Sequence, residues 1–461
     1  MRIAFFSKVK KQRRKKVDLQ QIVKDAGIVG AGGAGFPTHA KLTEKAEYIL
    51  LNAAECEPLL RVDQQLMEIY PKEIILGFEA AGKQVGASQA IIGIKNKHKK
   101  VINILNEAIE ALNLTEYVKV TPLEDVYPAG DENVLVYELT KKIVPELGIP
   151  LRVGCVVINS ETALNIYNAI NQLPVTDTYL TIAGDIENPV TLKVPVGTPI
   201  RALFEKAGIK DIDSYAVIDG GPMMGPVMEN IDGFVNKKSK GYILLKKDHF
   251  LIKRKTVSLE RASVVSRTAC EQCRMCTDLC PRYLLGHNMQ PHKMMRTLGY
   301  QLKDISEQDI SQLCCECNVC ELFACPVNIH PRAVNVIYKK KLQEQGIRYE
   351  PIKTEFTPRV ARDFRLIPTK RLTFKLGLHD YDRPAPLDFD EYKSSYVEIP
   401  MSQHIGRPSQ PIVSAGEQVK KGQLIAVIPE NSLGAAIHAS IDGVVVKVDE
   451  KSIAIKVGDY E

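Results

Sequence analysis

No apolar run in this 461-residue sequence approaches the roughly 20 residues that a membrane-crossing helix needs, so no spanning segment is expected. The opening stretch, MRIAFFSKVKKQRRKK, lacks a long apolar core followed by a small-residue cleavage site, and export through a signal peptide is not expected either. An excess of one charge is also missing. The formal net charge is +6, but seven basic residues crowd between Lys8 and Lys16, and the remainder is nearly neutral. A broad basic surface for nucleic acid is therefore excluded. The basic arm reads as a solvated tail, with an acidic partner surface or anionic lipid as the sharper alternative. With 45% hydrophobic and 25% charged residues the chain is no disordered polymer, and its length suits three or four compact units.

Cysteine is abundant and localised. Nine of the eleven cysteines fall between Cys270 and Cys325; only Cys56 and Cys155 lie elsewhere, and both read as small buried hydrophobes. Such crowding points to metal and not to a disulfide framework. Cys270, Cys273, Cys276 and Cys280 precede Pro281 in a C-x2-C-x2-C-x3-C-P run. Cys314, Cys317, Cys320 and Cys325 precede Pro326, with four residues in the last gap and Cys315 as an extra thiol. Three thiolates two residues apart can wrap one face of a 4Fe–4S cube. In two-cluster ferredoxins the fourth cysteine serves the other cluster. The spacing therefore assigns Cys270, Cys273, Cys276 and Cys325 to one centre, and Cys314, Cys317, Cys320 and Cys280 to the other. Zinc, which usually closes at paired C-x2-C units, fits this pattern poorly.

Five glycines lie within Gly27–Gly35, followed by Phe36-Pro37-Thr38 and Lys41. Bare backbone can approach a phosphate closely there, and a lysine can neutralise it. Tyr48–Asn52 and Ala90–Ile94 read as buried strands and Val101–Leu112 as an amphipathic helix, which predicts an α/β layer structure. Polar groups after such strands sit where these sheets bind ligands. Tyr179–Ala183 and Val190–Val194 read as further strands, and Ile200–Ala207 as a short helix. Of the pair Met223 and Met224, core packing is the plainer role and a ligand site the sharper one. His404 and His438 read as ordinary histidines.

Four motifs in order carry a family resemblance: Gly30-Ala-Gly-Gly-Ala-Gly-Phe-Pro-Thr38, Asn52-Ala-Ala-Glu-Cys-Glu-Pro58, Tyr127-Pro-Ala-Gly-Asp-Glu132 and Asn159-Ser-Glu-Thr162. Together they resemble the flavin subunit of respiratory complex I and, still more, the RnfC-type proteins. The barrel-like C-terminal stretch follows the cysteines here, an order that resembles the PduS-type cobalamin reductases. The resemblance implies a multidomain α/β and β fold. Its parts are a basic arm (1–18), a Rossmann-like FMN/NADH-binding α/β domain (19–174), an SLBB β-grasp domain (175–250), a two-cluster ferredoxin-like domain (251–340), a linker (341–395) and a barrel-sandwich hybrid (396–461). The last lacks the hairpin lysine of a swinging-arm carrier. The resemblance gives FMN contacts to Gly30, Gly32, Gly33, Gly35 and Lys41, completed by Asn52, Asp131, Glu132, Asn159 and Thr162. It puts Glu55, Glu57 and Tyr127 near the flavin or the nicotinamide nucleotide, with no side chain acting as a catalytic nucleophile.

The implied activity is NADH-dependent reduction of cobalamin through FMN and two 4Fe–4S clusters in propanediol utilisation. The implied setting is the cytoplasm, inside a bacterial microcompartment, beside an adenosyltransferase. Two alternatives stand beside it. One is an RnfC-like subunit moving electrons between NADH and ferredoxin in a membrane complex. The other is a non-enzymatic electron adaptor, motivated by Ala31, Ala54 and Ile158, which depart from the complex I pattern.

Overall fold

The computed structural model describes residues 18–302 and 305–458. Most of the basic arm expected over 1–18 lies outside the described residues. The first unit is built on four parallel strands, β1 (Tyr48–Ala53), β2 (Gln89–Lys95), β3 (Val118–Leu123) and β5 (Cys155–Asn159), in the order β3-β2-β1-β5. The two-residue β4 (Val126–Tyr127) stands outside this sheet. Sequences such as YILLNA and QAIIGIK are apolar at successive positions because both faces of the sheet are covered. Ile49, Leu51, Ile92 and Ile158 pack on one side against α3 (Val62–Ile69), α4 (Pro71–Gln84), α5 (Lys99–Ala111) and α7 (Ser160–Ile170). Helices α1 (Leu19–Asp25) and α2 (Thr38–Lys41) flank the glycine-rich loop. Leu50, Ile91 and Val157 face the other way, onto Leu135 and Val136 of α6 (Glu132–Thr140).

Local chemistry sets the helix starts. Asp131 caps α6 and Asn159 caps α7 through their side-chain oxygens, and Pro71 opens α4 at its first turn. Helices α4 and α7 approach so closely that a Cβ on Gly77 would lie 2.0 Å from the carbonyl oxygen of Ala163.

The second sheet has the order β7-β6-β9-β8, from β6 (Asp177–Gly184), β7 (Val190–Pro195), β8 (Tyr215–Asp219) and β9 (Gly241–Lys246). Its β6–β9 pair is parallel and its outer pairs are antiparallel. Short helices then carry the cysteines, ending in the helix Pro331–Glu344. Two small sheets close the C-terminal barrel around Val397, Ile399, Ile425, Ile437, Val445 and Ile453.

The 341–395 segment is no free tether, which corrects the expected linker. Ile367–Pro368 pairs antiparallel with β4, and Leu372, Leu376 and Leu378 are buried with Tyr127 in one core. Its apolar residues are sparse but spaced to fill that core. Just before it, Lys339 donates to the carbonyl of Cys314 at 3.2 Å and to Glu316 at 2.9 Å.

The barrel docks on the first unit. The amide of Ile405 donates to the carbonyl of Gly35 at 3.1 Å. The buried Lys237 ammonium donates to the carbonyls of Gly27 (2.7 Å) and Ala436 (2.8 Å). Burial pulls Lys237 from its ordinary 10.5 down to about 7. Its unfolded form therefore binds more protons than the folded form between those values, and stability rises with pH across that window. Below pH 7 the cost, on the order of a few kcal/mol, is fully present. Lys237→Met should flatten the rise in Tm between pH 7 and 10 relative to the parent. Parallel curves from thermal unfolding at several pH values would contradict this.

Candidate functional site

The strand order reverses between β1 and β5, and in α/β sheets the crevice at the carboxyl ends of two such strands is the ligand position. Asn52 and Asn159 are register partners there. Asn52 Nδ2 donates to the carbonyl of Gly130 at 2.9 Å. Asn159 Nδ2 donates to both carboxylate oxygens of Asp63 (3.0 and 2.9 Å), while its Oδ1 accepts from the amide of Glu161.

The glycine loop leans into this crevice. The amide of Ala31 donates to Thr162 Oγ1 at 3.2 Å, and a Cβ on Gly32 would lie 3.0 Å from Asn159 Nδ2. The Gly30 amide is spent on the carbonyl of Phe36, and Gly35 sits at φ +74° against Lys238 and Gln403. Gly32 and Gly33 are exposed, a Cβ on Gly33 would meet nothing within 4 Å, and among the described residues their amides have no partner. Ser160 Oγ, in the first turn of α7, is buried with no partner. Lys41 Nζ donates to the carbonyl of Val157 (3.1 Å) and pairs with Glu132 at 3.4 Å. Free backbone amides, an orphaned hydroxyl at a helix start and a cation on one side fit a phosphate-bearing cofactor such as FMN.

The carboxylates here bond to backbone amides of the protein itself. Glu55 accepts from the amides of Asp63 (3.0 Å) and Gln64 (3.3 Å), capping α3. Burial of its carboxyl, with the charge of Asp63 beside it, pushes Glu55 up to about 7. Glu57 reaches across to the second unit and accepts from the amides of Met223 (2.8 Å) and Met224 (2.9 Å). Lys255 grips the same turn from its carbonyl side, at Met223 (3.0 Å) and Gly225 (2.6 Å), and burial pulls it down to about 8. Asn318, between two cysteines, also donates to the carbonyl of Met223 at 2.7 Å. The methionine pair is thus divided, with Met223 fully buried and Met224 half exposed.

Tyr127 and Asp131 lie at the seam with the cysteine-bearing segment. Tyr127 OH donates to the carbonyl of Cys317 at 2.8 Å, and Arg282 pairs with Asp131 at 3.0 Å.

Sequence reasoning missed Asp63, Lys95, Lys240 and Arg282. Lys240 lies 2.5 Å from Glu161 and 3.7 Å from Asp63 in a buried cluster behind Asn159. Lys95 is buried at the end of β2, donating to Thr369 Oγ1 at 3.0 Å and pairing with Asp125 at 3.2 Å. Its signal was present: Gly93 pairs with Asn52, so Lys95, two residues on, shares the face of Asn52. The partners of Lys240 and Arg282 are remote in sequence and left no such signal.

The cysteines surround two cavities. One is lined by Cys270, Cys273, Cys276 and Cys325. The other is lined by Cys280, Cys314, Cys317 and Cys320, with Cys315 beside them. The chain therefore crosses over, and each fourth cysteine lines the cavity of the distant triplet. Among the described residues no group of three His, Cys, Asp or Glu closes on a single ion. Burial, with Cys270, Cys273 and Cys325 nearby, pushes Cys276 up to about 12, and burial with Cys315 does the same to Cys314. Four thiolates in such a place need a cationic centre among them, and a 4Fe–4S cube fits the donor set.

The two triplets share a backbone signature. Gln272 and Arg274 stand at positive φ, as do Glu316 and Asn318, at matching places after Cys270 and Cys314. Left-handed residues of this kind cost energy and persist where the chain must wrap something. The match makes Cys314, not Cys315, the counterpart of Cys270. The extra residue in the second run is absorbed locally: Met275–Asp278 is an α-turn, whereas Val319–Ala324 is a π-turn.

Residues 23–168 match the Nuo51 FMN-binding domain family, 269–330 the 4Fe-4S dicluster domain family and 389–458 the RnfC barrel sandwich hybrid domain family. Over 440 residues the chain is 42% identical to the cobalamin reductase PduS of Citrobacter freundii, covering 95% of this chain and 96% of that one. Identity to the cobalamin reductase PduS of Salmonella typhimurium is 41% over 441 residues, with the same coverage. A component of the Na(+)-translocating ferredoxin:NAD(+) oxidoreductase complex of Acetobacterium woodii is 34% identical over 277 residues, 59% of each chain.

Proposed function

From the premise that this chain belongs to the PduS cobalamin reductase family, we propose that it passes electrons from NADH through FMN and two 4Fe–4S clusters to corrinoid cobalt. The observation that carries the reading is one connected path. Asn52 in the switch-point crevice bonds to the carbonyl of Gly130, Tyr127 three residues earlier bonds to Cys317 of one four-cysteine cavity, and residues adjoining that cavity's lining, His292 and Pro331, line the second. When bound, the flavin and the cubes supply conversion of a two-electron donor into single electrons.

The chain's own residues bind and orient. Gly32 and Gly33 offer free amides to the FMN phosphate, with Gly30 and Gly35 shaping the loop and Lys41 neutralising charge. Asn52, Asp131, Glu132, Asn159 and Thr162 complete the pocket wall. Glu55 and Glu57 hold α3 and the Met223 turn in place beside it. Tyr127 keeps the cluster loop against the flavin unit. Cys280, Cys314, Cys317 and Cys320 hold one cube, and Cys270, Cys273, Cys276 and Cys325 the other. The same reading places the protein in the cytoplasm, in a diol-degrading microcompartment beside an adenosyltransferase. Among the described residues no helix is long and apolar enough to cross a membrane.

The test is anaerobic purification with iron and FMN analysis, then addition of NADH and cob(III)alamin under argon. Reduction of cobalt, followed by its visible spectrum, is expected. A preparation loaded with flavin and iron that oxidises no NADH with cobalamin present would end the reading.

A further inference from the structure

One wall of the crevice is fixed from the second unit. Lys240 immediately precedes β9, and its carbonyl accepts from the amide of Thr181 at 3.0 Å, so its backbone belongs to the second sheet. Its side chain crosses to the first unit, to Glu161 at 2.5 Å and Asp63 at 3.7 Å, both of them buried. From β6, Thr178 Oγ1 (3.1 Å) and the amide of Tyr179 (3.3 Å) donate to the other oxygen of Glu161. Among the described residues no other cation pairs with either carboxylate. Burial pushes the Asp63 carboxyl up, and the charge of Lys240 opposes that. The ionisation of Asp63 matters for Asn159. Its Nδ2 donates to both oxygens of Asp63, at 3.0 and 2.9 Å, and only an ionised carboxylate accepts freely at both. With Nδ2 so placed, Oδ1 meets the Glu161 amide and the side chain stands against Gly32.

We propose that Lys240 is a positioning residue of the flavin site, acting through Asp63 on Asn159 and so on the glycine loop. The proposal rests on the FMN reading of the crevice given above. Without the ammonium, two carboxylates lie buried with no counter-charge, and the Asp63 carboxyl takes up a proton. One of its oxygens then carries a hydrogen and meets an N–H of Asn159, donor against donor. Asn159 loses its fixed setting, and the loop that offers the Gly32 and Gly33 amides loses the wall it leans on. The second unit is thus part of the flavin site.

The experiment uses the full chain, stripped of flavin and dialysed anaerobically against graded FMN, with iron measured on each sample. Lys240→Met and Lys240→Gln should each weaken FMN binding at least tenfold with iron at the parent level. Lys240→Arg, which keeps the charge, should stay within threefold of the parent. Asp63→Asn should weaken binding by a factor similar to that of Lys240→Met. Combining the two should add no more than twofold, because both act by one route. Parental affinity in the Met and Gln variants, an Arg variant as weak as these, or losses that multiply in the double variant would overturn the relay. Loss of iron along with flavin in every variant would mark a general structural role and overturn it as well. If instead the iron-loaded parent binds no FMN, it is the flavin reading that fails.

Discussion

Cys280→Ser empties the centre built on Cys314, Cys317 and Cys320 and spares the one built on Cys276, its near neighbour in sequence. This is the expected result because Cys280 lines the cavity of the later triplet, while Cys325 closes the earlier one. About half of the iron should disappear from anaerobically purified protein, since each 4Fe–4S centre holds the same number of atoms. NADH should still bleach the flavin, and corrinoid reduction should fall to the level of iron-free protein. Iron analysis with low-temperature EPR of the dithionite-reduced variant reads both points. Cys276→Ser should remove the other signal. If Cys280→Ser and Cys276→Ser removed the same signal, the crossed arrangement would be wrong.

Gly32→Val should strip the flavin and leave the iron in place. The neighbour that a side chain meets, Asn159, has no freedom to withdraw. It caps α7 and bonds both oxygens of Asp63, and Asp63 and Glu161 share Lys240. The loop must yield instead, and its free amides leave the crevice. Overpacking of this kind costs about 1–3 kcal/mol, which corresponds to roughly 5- to 150-fold weaker FMN retention. FMN released on heating and measured by fluorescence, against iron in the same sample, gives the ratio. A variant carrying as much flavin as the parent would show that the loop does not hold the cofactor.

How much of this was legible in the sequence depends on the range of each contact. The cysteine partition followed from spacing, because ligand geometry at a cube acts over a few residues. The choice of Cys314 over Cys315 is visible in the paired left-handed residues. The longer last gap gave no hint of the π-turn that absorbs it. The parallel sheet was readable from its apolar runs, and the asparagines from their place after strands. The family resemblance puts Glu57 near the flavin or the nicotinamide nucleotide, but no local pattern shows that its carboxylate grips Met223 and Met224, more than 160 residues away. Lys240 and Arg282 also find partners far off in the chain, 79 residues away at Glu161 and 151 at Asp131, and no local pattern encodes such meetings. The 341–395 segment looked like a tether because its apolar residues are few; Ile367, Leu372, Leu376 and Leu378 are enough to bind it down.

The contact between Ile405 and Gly35 has a consequence for how the protein is made. The amide that holds the glycine loop's last carbonyl, and the Ala436 carbonyl that shares Lys237 with Gly27, are translated long after the loop itself. A nascent chain arrested before the barrel would present the loop without its backing. If the loop holds the flavin as proposed, chains arrested before Ile405 would retain it less well than chains that carry the barrel.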